Sequence, residues 1–137
     1  MDKPLIVIIG SSNTDMVIKS PHLPAPGETI LGGTFFMNAG GKGANQAVAA
    51  ARFGGQVSFI ARVGKDIFGK EAVQLFKKEG IDTSSVLKDK KFPSGVALIT
   101  VDDKGENSIS VAPGANAALT PSDIKSSAIK LSQLPSC

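Results

Sequence analysis

Two short stretches hold most of the side chains able to do chemistry. The first is SSNTD, where Asn13, Thr14 and Asp15 set an amide, a hydroxyl and a carboxylate side by side. A carboxylate has two oxygens and can accept hydrogen bonds from two neighbouring hydroxyls at once. The second is AGGKGANQAVAA, where Gly40, Gly41, Lys42, Gly43, Ala44 and Asn45 precede an alanine-rich run. The N–H groups that open a helix are unsatisfied donors, and glycines let another molecule approach that backbone closely. Lys42 and Asn45 add a cation and an amide at the same end. Together these groups suit a small, oxygen-rich ligand. Taken one at a time, each stretch also fits an ordinary polar loop or a tight helix-entry turn.

The glycine loop fails both common nucleotide patterns. Gly41-Lys42 supplies the GK of a Walker A motif, but Gly43 stands where Ser or Thr should hold magnesium, and Phe36 where the first glycine belongs. A G-x-G-x-x-G fingerprint begun at Gly41 meets Gln46 at its last glycine. Other chemistries have less support. The single cysteine, Cys137, makes no disulfide framework or metal cluster, and His22, beside Pro21, reads as a loop residue. Seven phenylalanines with no Trp or Tyr, and a net charge of +3 with only Lys77-Lys78 and Lys88 to Lys91 clustered, argue against a nucleic-acid groove. No apolar run reaches the ~20 residues of a membrane span, and PLIVIIG is too short for a signal peptide. The expected location is cytoplasmic, with no nucleic-acid or membrane partner.

These groups need elements to position them. LIVII, from Leu5 to Ile9, predicts a parallel-sheet strand buried on both faces, with SSNTD as a polar loop at its carboxyl end, where open α/β sheets bind ligands. MVIKS is a short second strand, PHLPAPGET a turn region, and TILGGTFFMNAGG is extended. The spacing of Ala44, Ala47, Val48 and Ala51 predicts a helix over 42–53 with one small-residue face. A strand over 57–63 and a helix over about 69–79, stopped by Gly80, continue a parallel α/β pattern. Asp66 reads as a turn or cap residue. Residues 94–101 and 108–113 then form a β-hairpin with Ile109 and Val111 on one face. Thr120 and Pro121 mark the N-cap and first position of a last helix.

Beyond these local readings, GGKGANQA followed by Gly54 and Gly64 resembles the first signature of the ribokinase, or PfkB-type, carbohydrate kinase family. GSSNTDMV, PAPGET, VGKDIFG, SGVALITV and GANAALTP match the family in order, over nearly the whole chain. The resemblance implies a ribokinase-like α/β fold, a parallel sheet flanked by helices with a small β-sheet lid, here its N-terminal part. The lid strands would fall at about 15–39 and 94–113. It implies transfer of the ATP γ-phosphoryl group to the 5-hydroxyl of D-ribose, with Mg2+ and a monovalent cation, K+, as cofactors. Asn13, Thr14, Asp15, Gly41, Lys42, Gly43, Ala44 and Asn45 would contact the sugar, Gly40 and Gly41 would form the hinge, and the lid strands would join a homodimer. Ala97, Ile99 and Val111 would face the sugar or belong to the core of the lid or dimer.

The second half of the family pattern is missing from this sequence. It contains no Gly-Ala-Gly-Asp motif with its aspartate base, no ATP-binding segment and no cation loop. Pro135 follows Gln133-Leu134 where the family carries a sugar-binding Glu. No residue here is assigned as catalytic, and the chain is expected to be a truncated form, inactive alone. The alternatives are a related kinase for fructose, deoxyribose or adenosine, or a non-catalytic fragment that binds sugar or dimerises.

Overall fold

The computed structural model describes residues 3–133, so Cys137 and the Leu134-Pro135 departure lie outside the described residues. The chain forms two sheets. Strands β1 (Leu5–Ile9), β4 (Gln56–Gly64) and β5 (Val86–Asp89) make a three-stranded parallel sheet in the order β1-β4-β5. Strands β2 (Asn13–Lys19), β3 (Thr34–Gly40), β6 (Gly95–Val101) and β7 (Asn107–Ala112) make a four-stranded sheet in the order β3-β2-β6-β7. In it β2 pairs antiparallel with β3 and parallel with β6, and β6 closes the hairpin with β7.

The core follows from strand alternation. One face of β4 presents Val57, Phe59, Ala61 and Val63, which cluster with Ala44 and Ala47 of α1 (Lys42–Arg52) and Phe76 of α2 (Ile67–Lys78). Both helices therefore cover the same side of the parallel sheet. Phe59 and Phe76 meet edge to face, with centroids 5.2 Å apart, the geometry aromatic quadrupoles favour. On the opposite face Ile60 is fully buried, and a 3-10 turn, Gly114–Ala118, packs against β4. Helix α3 (Pro121–Ser132) starts at the expected Thr120 cap with Pro121 at its first position, and Asp123 completes a capping box. Among the described residues no helix is long and apolar enough to cross a membrane.

Two sequence expectations are corrected. β1 is buried on one face only: Ile6 and Ile8 join the core, whereas Leu5, Val7 and Ile9 stay exposed. The 3-10 turn packs against β4, and among the described residues Leu5, Val7 and Ile9 are left 40–50% exposed. SSNTD is not a loop, because Asn13, Thr14 and Asp15 are the first three residues of β2. Their polarity hid a strand whose apolar residues begin only at Met16.

Candidate functional site

The site lies where the four-stranded sheet joins the parallel one. Gly40, Asn13 and Gly95 stand side by side in one row across β3, β2 and β6. Two residues further along lies the row Asn38, Asp15, Ala97 and Val111, and beyond it Phe36, Val17, Ile99 and Ile109. Cross-strand partners share a face, so Asp15 shares its face with Ala97, Ile99 and Val111. Ala97 is 5% exposed and Val111 57%, which leaves an apolar floor beside the carboxylate, open at its β7 edge.

The glycine loop closes the other side. Gly41 caps α1 at φ 96°, a left-handed backbone conformation that favours glycine. A Cβ at Gly40 would run into the Asp15 carboxylate, so only glycine lets the two strands bring that carboxylate against the loop. No side chain caps α1, so its first N–H groups are left without the usual side-chain acceptor. Lys42 and Asn45 are exposed at this helix start. Asn45 N–H donates to Gly41 O at 2.9 Å.

The structure thus brings Asn13, Asp15, Gly40, Gly41, Lys42, Asn45, Ala97, Ile99 and Val111 to one region, and places three other expected positions differently. Gly43 and Ala44 are buried; Ala44 N–H donates to Ser11 O at 3.0 Å, and a Cβ at Gly43 would meet the Gly10 backbone. Thr14, one residue from Asp15 on a strand, faces the opposite side. It lines a cleft of about 270 Å³ with Met37, Ala39 and the α2 residues Phe68, Glu71, Ala72 and Leu75.

Asp15 is electrostatically distinct. It is half-buried, and its carboxylate makes no hydrogen bond or ion pair among the described residues. Burial pushes its carboxyl above the usual 3.8. Asp66, by contrast, is fully used. It caps α2 through Gly69 N–H at 2.9 Å and accepts from Ser94 N–H at 2.8 Å and Ser94 Oγ at 2.7 Å. Burial raises its carboxyl, but these three bonds outweigh burial and hold it below the usual value. The structure therefore agrees with a capping role.

Sequence reasoning missed Asn116. Its Oδ1 accepts from Ser12 N–H at 2.9 Å, while its Nδ2 donates to Ser12 O at 3.1 Å and to Asn13 Oδ1 at 2.8 Å. That last bond occupies the Asn13 carbonyl and leaves the Asn13 amide N–H groups as donors. An asparagine inside GANAALTP was the available signal, but its partners lie 103 and 104 residues away.

Among the described residues no group of three His, Cys, Asp or Glu side chains could hold a metal ion. The residues of the site form no such cluster. What they make is a hydroxyl acceptor, amide donors and a cation around an apolar floor.

Known proteins are similar to this chain in sequence and fold. The pfkB family of carbohydrate kinases matches residues 3–134. The chain is similar to a ribokinase of Haemophilus influenzae, 42% identical over 93% of this chain and 42% of the relative. It is 41% identical to a deoxyribokinase of Salmonella typhi over 87% of this chain and 39% of that protein. Among solved structures, a Giardia lamblia ribokinase superposes with a TM-score of 0.85 at 35% identity, covering 97% of this chain and 40% of that one. An Arabidopsis thaliana ribokinase complexed with ribose and ATP gives 0.77 at 34% identity, covering 91% and 42%. The chain thus spans roughly two fifths of the length of these relatives. It has the ribokinase-like α/β fold over that span, and it belongs to the pfkB family of carbohydrate kinases.

Proposed function

We propose that this chain carries the sugar-recognition part of a kinase that moves the γ-phosphoryl group of ATP to O5 of D-ribose, giving D-ribose 5-phosphate. The observation that carries the reading is Asp15, a half-buried carboxylate with no donor among the described residues, set against a helix start that no side chain caps. Such a group is stabilised by ligand hydroxyls, and a pentose offers adjacent ones. The Asp15 oxygens accept from two sugar hydroxyls, the Asn13 amide and the Lys42 and Gly43 N–H groups that open α1 donate to sugar oxygens, and the Lys42 and Asn45 side chains reach the same end. Gly43 and Ala44 act by packing the loop. The four-stranded sheet serves as a lid hinged at Gly40 and Gly41, with Ala97, Ile99 and Val111 excluding water from the sugar face. Magnesium, when bound, neutralises charge on the transferring phosphate, and the described residues of this chain supply no ligand cluster for it. A second copy of the chain covers the opposite face of the lid, where Ile18, Phe35, Met37 and Leu98 are exposed.

The test is calorimetric titration of D-ribose into the wild-type chain and Asp15→Ala. The variant is expected to bind about 1.5–3 kcal/mol more weakly, the scale of a hydrogen bond to a charged group. An unchanged affinity in a folded variant overturns the reading. The similarity to a deoxyribokinase favours 2-deoxy-D-ribose as the second candidate substrate. Parallel titration decides between them, since loss of one hydroxyl leaves part of the Asp15 carboxylate unpaired. Because the sequence contains no Gly-Ala-Gly-Asp base motif, the chain incubated alone with ATP and ribose is expected to form no ribose 5-phosphate.

A further inference from the structure

A second concave surface lies at the carboxyl ends of β4 and β5, apart from the sugar face. It is a cleft of about 500 Å³ lined by Gly64, Lys65, Asp66, Ile67, Lys70 and Lys88, within the size range of small-molecule sites. A smaller neighbour of about 250 Å³ shares Lys65 and Asp66 and adds Lys90. The lysines come from three places in the fold: the β4 end, the first turns of α2, and β5.

The charge here is unbalanced because the nearby carboxylates are already engaged. Asp66 accepts three hydrogen bonds from Gly69 and Ser94. Asp89 accepts from Arg62 Nε at 2.6 Å and from the N–H groups of Lys91 and Phe92 at 2.7 Å each. None of Lys65, Lys70 and Lys88 makes an ion pair among the described residues; every ion pair there involves His22, Arg52 or Arg62. Three lysines therefore line one shared space against a single, internally bonded carboxylate. Ile67, 65% exposed, and the lysine stems give the cleft an apolar wall.

We propose that this cleft binds a compact anion carrying two linked or closely spaced phosphate groups. Three cations on separate elements match two phosphates better than one, and each lysine contact is charge-assisted. The floor of the cleft touches the root of β6, because Asp66 holds Ser94, the residue before that strand. An anion here would sit one side chain from the base of the proposed lid while leaving Asp15 untouched. The proposal is independent of the identity of the sugar.

Inorganic pyrophosphate is the probe. In low-salt buffer the wild-type chain is expected to bind it saturably, about tenfold or more tighter than orthophosphate, because two phosphates engage the lysines. Affinity should fall as salt rises. Amide shifts in a 15N-labelled sample should concentrate at 64–70 and at Lys88. The double variant Lys70→Gln/Lys88→Gln should lose at least about tenfold in affinity, whereas Lys42→Gln, at the sugar-side cation, should lose none. Absence of saturable binding, equal affinity for the two anions, or shifts centred on the start of α1 would each overturn the proposal. Shift mapping on the wild type keeps the test decisive if the double variant does not fold.

Discussion

A carboxylate held half-buried without a protein donor is sensitive both to its ligand and to pH. The Asp15 carboxyl is raised by burial, so the fold disfavours its charged form. That cost is present at neutral pH and lifts as acid is added. Sugar hydroxyls need the charged form as acceptor. Ribose affinity should therefore fall as pH drops through a value above 3.8, and titration across this range in wild type and Asp15→Asn checks it, since the variant should show no such step. Asn116 acts one layer back as a positioning residue. Asn116→Ala strands Ser12 N–H and frees the Asn13 amide to rotate, costing about 1–3 kcal/mol of stability, read by denaturant unfolding. Asn116→Asp can still accept from Ser12 N–H but cannot donate to Asn13. It should recover part of the stability without recovering ribose affinity, an outcome a purely structural asparagine would not give. Asn13 and Asp15 stood out only with the family resemblance, because their residue types alone fit an ordinary polar loop. Asn116 did not stand out, because its partners come from the far end of the chain.

At the scale of elements, acidic side chains fix the joins at α2 and at the end of β5, whereas α1 starts on a glycine with no side-chain cap. Asp66 caps α2 and also holds Ser94 at the start of β6. Asp66→Ala should cost about 2–3 kcal/mol, a lost cap plus a stranded N–H, measured by thermal unfolding. Asp89 ties the end of β5 to Arg62, which also reaches Asp123 in the first turn of α3. The Phe92 N–H, the Arg62 guanidinium and the Lys91 N–H hold its carboxyl down at about 2. This depressed value contributes stability that is full above the unfolded carboxyl range near ~4 and is lost as pH falls toward ~2. Asp89→Asn should therefore melt below wild type at neutral pH, with the gap closing over that acid window. The regular elements were the legible ones: α1 and α2 by the spacing of their apolar residues, α3 by its Thr-Pro start, and the β6-β7 hairpin by alternation around a glycine turn. β5 was missed because VLKD is only four residues and half charged, and it exists by pairing with β4 rather than by its own pattern.

For the whole molecule, the decisive pairing is the parallel contact of β2 with β6, which puts residues about 80 apart in one register. No local pattern reports it, so the sugar face was legible through family resemblance and not through periodicity. The same pairing gathers Ile18, Phe35, Met37 and Leu98 on the outer face of that sheet. With a second copy as its cover, the chain should be dimeric by light scattering, and Leu98→Glu should shift it to monomer with its helical signal intact. A wild-type monomer at high concentration rules this cover out.

The row Gly40, Asn13 and Gly95 crosses three strands at one end of the four-stranded sheet, where β2 and β6 begin and β3 ends. If the proposed hinge holds, rotation about this line would preserve every pairing within the four-stranded sheet, and the sheet would swing as one leaf on aligned pins. Displacement grows with distance from the pins. Asp15 lies two residues out, roughly 7 Å, and Ile99 four residues out, roughly 13 Å at strand rise. On such a rotation the carboxylate would move about half as far as the apolar tip. In the proposed lid, the group that would read the sugar hydroxyls is therefore displaced least, and the apolar edge that would seal out water is displaced most.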